Sequence, residues 1–216
     1  MASIETIFLL MHTRKENKMR YLGPIFKKSR RYGISLLEND KEFSKGKKRT
    51  YAPGQHGNKR VKLSDYGQHL YEKQKVRFLY GLSEKQLHKV YNRAIKMKGV
   101  AGTNLLQLLE SRFDNLVFRA GFATTRRQAR QLVNHGHFLL NGRNADIPSM
   151  HISVGDTITL KTKSQNNAQI KAALESKPAA AWMTVKNFEA KFDRLPDRTE
   201  LNQNVKENFV IEHYSK

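Results

Sequence analysis

The chain has no cysteine, which excludes disulfides, thiolate zinc sites and cysteine nucleophiles together and fits a reducing compartment. Acidic side chains are scarce as well. Against 40 Lys and Arg stand 19 Asp and Glu, giving a formal net charge of +21 and a pI near 10.2. So large an excess repels itself in a compact fold and makes physical sense when a polyanion neutralises it, which points to nucleic acid. Long apolar runs are missing too. Ile7 to Met11 follows Glu5 rather than a basic leader and is too short for a secretory core, and nothing later approaches the roughly 18 apolar residues of a membrane span. A soluble protein is expected. Attraction to a membrane surface would call for a basic amphipathic helix or a lipid anchor, and the sequence offers neither. With 38% hydrophobic residues and 9% aromatics in 216 residues, modest cores in one or two domains are expected.

Along the chain, Met1 to Lys18 shows no clear periodicity and reads as a flexible extension. Two basic clusters follow, Lys27-Lys28-Ser29-Arg30-Arg31 and Lys45-Gly46-Lys47-Lys48-Arg49. The second runs into the turn-rich Tyr51-Ala52-Pro53-Gly54-Gln55-His56-Gly57 and is expected to be partly disordered without RNA. Ser64-Asp65 and Ser83 with Gln86 are helix starts, the second a capping box. Leu87, Val90, Tyr91 and Ala94 form an apolar stripe, and Gly99 to Gly102 reads as a hinge. A single helical stripe is expected from Asn104 to Ala120, then a second helix capped by Thr125 and ending at Gly136, the two forming a helix-turn-helix pair. The period then changes to that of strands: Phe138-Leu139-Leu140 leads into Asn141-Gly142, a hairpin signal, and Thr157 to Leu160 alternates after Gly155-Asp156. Lys161 to Asn167 reads as a linker, Ile170 to Leu174 as a short helix, Trp182 to Val185 as a strand, and the tail from Leu195 as mixed and polar.

Arg126, Arg127 and Arg130 fall at i, i+1 and i+4 of the second helix, beside the apolar Ala129, Leu132 and Val133. Their place in the first turns adds unpaired backbone N–H groups to the guanidinium charge, and both favour phosphate. Arginine suits this because its planar fork can bind phosphate bidentately.

Arg112-Phe113-Asp114-Asn115-Leu116-Val117, Arg119-Ala120-Gly121-Phe122, Thr125 to Val133 and Leu140-Asn141-Gly142-Arg143 together resemble the RNA-binding module named after the fourth protein of the bacterial small ribosomal subunit. Several families share that module, among them pseudouridine synthases and some tyrosyl-tRNA synthetases. The flanks narrow the choice. Arg20-Tyr21-Leu22-Gly23-Pro24, Ala52 to Gly57, Leu63 to Gly67, Glu72 to Arg77, Leu195 to Arg198 and Ile211 to Lys216 resemble the rest of the family of small-subunit ribosomal protein four, so the likeness covers residues 20–216. The family's usual start corresponds to Met19, which makes the first 18 residues either an extension or the product of an upstream start codon. Some members hold zinc through N-terminal cysteines. This chain cannot, and Lys27 to Arg49 would be ordered by RNA contacts and local packing.

The resemblance implies an α+β fold: a mostly helical body domain with an inserted small RNA-binding module, a helix-turn-helix pair packed on a small antiparallel sheet. The expected division is an extension over 1–18, body over 19–103, module over 104–163 and body again over 164–216. It also implies a structural constituent of the small subunit and primary binder of its rRNA, one that clamps a multi-helix junction, nucleates assembly of the subunit body and contributes to translational accuracy. The implied location is the cytoplasmic ribosome, with an organellar ribosome as the alternative, and no cofactor, metal or catalytic residue is implied. Implied partners besides rRNA are ribosomal protein five, ribosomal protein three, and mRNA where it enters, beside Lys59, Arg60 and Lys62. The rRNA-binding candidates are Arg20, Tyr21, Lys27, Lys28, Arg30, Arg31, Lys47, Lys48, Arg49, Gln55, His56, Lys73, Lys75, Arg77, Arg112, Asn115, Arg119, Arg126, Arg127, Arg130, Gln131, Asn141 and Arg143.

Other readings start from the same residues. Arg112-Phe113-Asp114 resembles the Arg-x-Asp of pseudouridine synthases, but no separate catalytic domain follows, and Asp114 is expected to make a local ion pair or hydrogen bond. His135 and His137 beside Gly136 lack the cysteines or carboxylates of a metal site and are expected to face RNA or cap the helix. Tyr51, His56, Tyr66 and Tyr80 could each stack on an unpaired base; core packing is the expectation for the three tyrosines, and His56 divides evenly between the two. A free RNA chaperone or translational repressor is the competing binding class, separable by stoichiometric co-sedimentation with small subunits.

Overall fold

The structure, a computed structural model, describes residues 20–44, 50–59 and 61–215. The expectations for Met1 to Lys18 and for Lys45 to Arg49 fall outside the described residues. Within them, eight α-helices accompany one five-stranded antiparallel sheet.

Helix α1, Ile25–Tyr32, follows Pro24 and stops at Gly33. It occupies the first basic cluster, where no element was expected. Its buried residues are Ser29 and Tyr32, and the Ser29 hydroxyl accepts from the Leu36 amide at 3.3 Å, fixing the chain as it leaves the helix. Helix α2, Asp65–Leu79, is capped by Ser64, and helix α3, Glu84–Ala94, begins with the complete Ser83/Gln86 capping box. The apolar stripe of α3 is buried, as its spacing requires. The amide of Asn104 donates to the carbonyls of Ala94, Met97 and Lys98, closing the orphan end of α3.

The expected single helix over 104–120 is two: α4, Ala101–Glu110, and α5, Phe113–Arg119. Their break is set by a distant segment. Phe113 and Asp114 amides donate to the Met150 and Pro148 carbonyls at 2.9 and 3.1 Å, and Ile152 donates to Ser111 at 2.9 Å. Those bonds satisfy backbone groups that a continuous helix would have paired internally. Helix α6, Arg126–Asn134, packs on α5 as the anticipated pair, with Thr125 accepting from the Gln128 amide.

Strands β1, Phe138–Leu140, and β2, Arg143–Asn144, form the hairpin signalled by Asn141-Gly142, whose φ values of 47° and 79° match a primed turn. Strand β3, Thr157–Leu160, pairs with β1 so that Phe138 stands opposite Leu160 and Leu140 opposite Ile158. A 3₁₀ turn, Thr162–Ser164, and helix α7, Ala168–Ser176, follow. Strands β4, Met183–Lys186, and β5, Glu189–Phe192, then complete the sheet in the order β2-β1-β3-β5-β4. The β3–β5 ladder therefore carries the sheet across residue 163, where the module was expected to end. Phe138, Ile158, Leu160, Ala190 and Phe192 are buried and form the sheet's core layer.

After a 3₁₀ turn, Arg198–Glu200, the polar tail forms helix α8, Glu207–Ser215, which packs chiefly on α2 and also on α4. Both ends of the chain thus build the helical body. The fold is α+β.

Candidate nucleic-acid interface

Neighbouring arginines at the start of α6 take opposite roles. Arg126 turns inward, where its Nε donates to Asn115 Oδ1 at 2.7 Å and its Nη1 to Glu38 Oε1 at 2.9 Å. Its guanidinium lies 4.6 Å from the Phe118 ring centroid and 5.0 Å from that of Tyr80. Arg127 stays exposed, and among the described residues its hydrogen bonds go to the backbone carbonyls of Tyr21 and Gly23, at 3.3 Å each. Arg130 reaches Asp114 Oδ2 at 2.7 Å, a carboxylate already held by the fork of Arg112 at 3.2 and 3.0 Å. Asp114 thus makes the local ion pairs expected of it.

These side chains line a cleft between α6 and the segment Arg20–Tyr21. Tyr21 is anchored edge-on to Phe78 of α2 at 5.2 Å, and Lys28 lies 4.9 Å from the same Phe78 ring. The charges around the cleft do not balance. Asp114 pairs with Arg112 and Arg130, Arg127 pairs with no carboxylate among the described residues, and the pKa of Arg20 is lowered first by burial and then by repulsion from Arg130 and Arg127, with Asp114 opposing. A phosphate placed there would relieve that repulsion and could accept the bidentate fork that arginine presents.

Beneath the cleft lies a buried ion network that sequence reasoning missed. Glu110, fully buried at the end of α4, accepts from Arg119, from the Tyr80 hydroxyl at 2.7 Å and from Asn115 at 2.6 Å. Glu38 bridges Arg119 and Arg126 at 3.2 and 2.9 Å. One signal was available: Glu110 closes the leucine-rich stretch Leu105 to Leu109 at a helix C-terminus, where the dipole disfavours an anion unless a cation answers it.

The remaining candidates divide by burial. Lys73 pairs with Glu84 at 2.7 Å, and Lys75 pairs with Glu72 and donates to the Asn204 carbonyl at 3.1 Å. Both lysines are buried with α2 against α8, as are Arg112, Asn115 and Arg126 at their own sites, so none of these five presents its polar side chain on the surface. Arg119 and Arg77 are half-buried, Arg77 bonded to Gln74 and the Leu82 carbonyl. Lys27, Arg31, Gln55, His56, Lys59, Lys62, Gln131, Asn141 and Arg143 are exposed; Arg20, Tyr21, Lys28, Arg30 and Arg130 are half-exposed. Asn141 holds the hairpin through Asp156 and the Thr157 amide. Lys47, Lys48, Arg49 and Arg60 lie outside the described residues.

Tyr80 is buried as expected, whereas Tyr51 and Tyr66 are exposed, because the loop around Tyr51 and the first turn of α2 stand at the periphery. His137 bonds Ser164 at 2.8 Å, joining the end of α6 to the 3₁₀ turn, and among the described residues no cluster of His, Asp and Glu could hold a metal. Nor is any described helix long and apolar enough to cross a membrane.

Comparison with known proteins agrees with the geometry. Residues 20–110 match the family described as "Ribosomal protein S4/S9 N-terminal domain", and residues 111–158 match the "S4 domain". The chain is 64% identical over 197 residues to the small ribosomal subunit protein uS4 of Mycoplasmopsis synoviae, spanning 91% of this chain and 99% of that protein. It is 60% identical to uS4 of Mycoplasma mobile over the same shares, and 57% identical to uS4 of Ureaplasma urealyticum over 91% of this chain and 98% of that one. The two matched ranges meet at the end of α4, the second spanning the α5–α6 pair and strands β1 and β2, and the chain belongs to the family of small ribosomal subunit protein uS4.

Proposed function

We propose that the protein is a structural component of the small ribosomal subunit that binds its rRNA by neutralising and bracketing closely spaced phosphates. The observation that carries this reading is the cleft lined by Arg20, Arg112, Arg127 and Arg130, where Asp114 pairs with only Arg112 and Arg130. Phosphate contacts fix register, and selectivity comes from the arrangement of RNA helices rather than from base edges hidden in a closed A-form groove. The rRNA contacts in this reading are the exposed Lys27, Arg31, Gln55, His56, Arg127, Gln131 and Arg143 with the half-exposed Arg20 and Arg130. Arg112, Asn115, Arg119 and Arg126 support them from beneath, and Lys73 and Lys75 fasten α2 to the tail.

The finer role follows the family: a primary rRNA binder in the cytoplasmic ribosome that starts assembly of the subunit body, with no reaction of its own. A face against ribosomal protein five, and contact with ribosomal protein three, would connect it to decoding accuracy. Lys59 and Lys62 are exposed, as side chains that guide incoming mRNA must be. Alanine at both, together with Arg60, is expected to impair translation of structured messages while assembly survives. Unchanged translation of such messages would remove that assignment.

The central test is affinity for small-subunit rRNA carrying the junction, against an unrelated structured RNA, across salt. With roughly eight phosphates neutralised, log affinity should fall against log salt with a slope of about −6 to −7. A junction preference that survives high salt supports the reading. Equal affinities that collapse together would leave a general cationic chaperone.

A further inference from the structure

A second cleft lies apart from the arginine cleft, lined by Lys27 and Arg30 of α1 and by Tyr51, Pro53, Gly54 and Gln55 of the following loop. Lys27 and Arg30 are three residues apart on one helix and so share a face. Tyr51 is 39% exposed, and among the described residues no aromatic ring packs on it and its hydroxyl has no hydrogen-bond partner.

The ring is nevertheless held by its loop. A Cβ at Gly57 would fall 1.8 Å from the Ala52 carbonyl oxygen and 3.1 Å from Tyr51 Cδ2, so the chain can close there only through glycine. Gly57 donates to the Gly54 carbonyl at 3.3 Å and Lys59 to the His56 carbonyl at 3.0 Å, tying the loop into consecutive turns. An exposed aromatic side chain thus lies against a turn-tied loop beside two cations and an amide. Preorganisation of that kind lowers the cost of binding a flat ligand.

We infer that this cleft is a subsite for one unpaired nucleotide, its base stacked on Tyr51, its phosphate on Lys27 and Arg30, and its polar edge within reach of Gln55. A paired base inside an A-form helix has both faces covered, so the ligand has to come from a loop, bulge or junction strand. Stacking on an aromatic ring is sequence-tolerant, which leaves the Gln55 amide, with its donor and acceptor, to grade the bases. The inference rests on the rRNA-binding reading above, and the two fail differently.

The experiment uses the full chain, small-subunit rRNA as probe, and four forms: wild type, Tyr51→Phe, Tyr51→Leu and Lys27→Ala, each measured across salt. Tyr51→Leu keeps the bulk and removes the π face. It is expected to weaken binding on the order of 5- to 150-fold with an unchanged salt slope, and Tyr51→Phe to bind as wild type. Lys27→Ala should instead reduce the slope by roughly 0.7 to 0.9. Ultraviolet cross-linking of the wild-type complex should yield a peptide bearing a nucleotide at Tyr51. Wild-type affinity in Tyr51→Leu, or a slope changed by that variant alone, overturns the stacking subsite while the rRNA reading stands. A wild-type protein without preference for small-subunit rRNA overturns both.

Discussion

Arg119 donates two parallel hydrogen bonds to Glu110, Nε to Oε2 and Nη2 to Oε1, each at 2.9 Å, and the Glu110 side chain is fully buried. The pair joins α4 to α5 across their break, and through Glu38 it ties the N-terminal segment to both. Removing one partner leaves the other charged and dehydrated. Arg119→Ala is therefore expected to destabilise the fold by about 3–5 kcal/mol, a fall of roughly 10 °C in Tm for a chain of this size. Thermal unfolding followed by circular dichroism reads this directly. A Tm within a degree of wild type would mean that the network contributes nothing net.

The same pair makes stability depend on acid. Burial alone would raise the Glu110 pKa, but the charge and hydrogen bonds of Arg119, with Arg126 and Tyr80 behind them, outweigh it and bring the carboxyl to about 2. Glu38 is lowered too, burial again opposing and Arg126 and Arg119 prevailing. Carboxyls depressed in the folded state contribute stability that is whole above their unfolded pKa and lost as pH falls towards the folded value. Wild type should lose stability between about pH 4.5 and pH 2. Glu110→Gln should be less stable at neutral pH and show a shallower loss through that window. Denaturant midpoints at pH 7, 4 and 3 would check it, and parallel curves for the two proteins would refute it.

Arg126 and Arg127 are adjacent, yet their substitution should produce opposite phenotypes. Arg126→Ala strips one of the two cations from Glu38 and a hydrogen bond from Asn115, and is expected to cost about 3 kcal/mol or more. Arg127→Ala breaks only two long contacts to backbone carbonyls, so stability should stay within about 0.5 kcal/mol. Its effect should appear instead in rRNA binding, as a weaker affinity and a salt slope reduced by roughly 0.7 to 0.9. Unfolding and binding curves on both variants separate the roles, and a stable Arg126→Ala with a binding defect would reverse them.

What the sequence disclosed followed from local chemistry. The Ser83/Gln86 box, the Ser64 and Thr125 caps and the Asn141-Gly142 turn each act within a few residues, and each stands where its spacing placed it. Longer-range causes were hidden. The α4–α5 break is imposed by carbonyls and an amide of residues 148–152, about 40 positions away, so the apolar stripe ran unbroken across it. Helix α8 carries its apolar residues consecutively, Phe209-Val210-Ile211, with only Val210 fully buried, and so shows no helical period. Strand β5 offers just Ala190 and Phe192 in alternation. At the interface, composition announced the cationic character but not its direction. Whether a guanidinium faces phosphate or carboxylate depends on Glu38 and Glu110, remote in sequence from Arg126 and themselves unremarkable in the chain.

Lys177, after α7, completes the network at a cost. Its Nζ lies 3.0 Å from the Phe118 ring centroid, is buried, and has no hydrogen-bond partner among the described residues. Burial is the main force lowering its pKa from 10.5 to about 8; Glu38 and Glu110 pull it back, while Arg126 and Arg119 push it further down. The folded state therefore disfavours the ammonium relative to the unfolded chain at neutral pH. Between about pH 8 and 10.5 the unfolded chain holds more of this proton, so its share of stability rises with pH across that window. Lys177→Met keeps a flexible side chain against Phe118 without the charge. It is expected to raise Tm at pH 7, with the advantage over wild type closing as pH approaches 10. A variant that is instead less stable at pH 7 would show that attraction to Glu38 and the Phe118 ring outweighs the cost of burial, and would make Lys177 a net tie between the segment after α7 and the arginine-bearing helices.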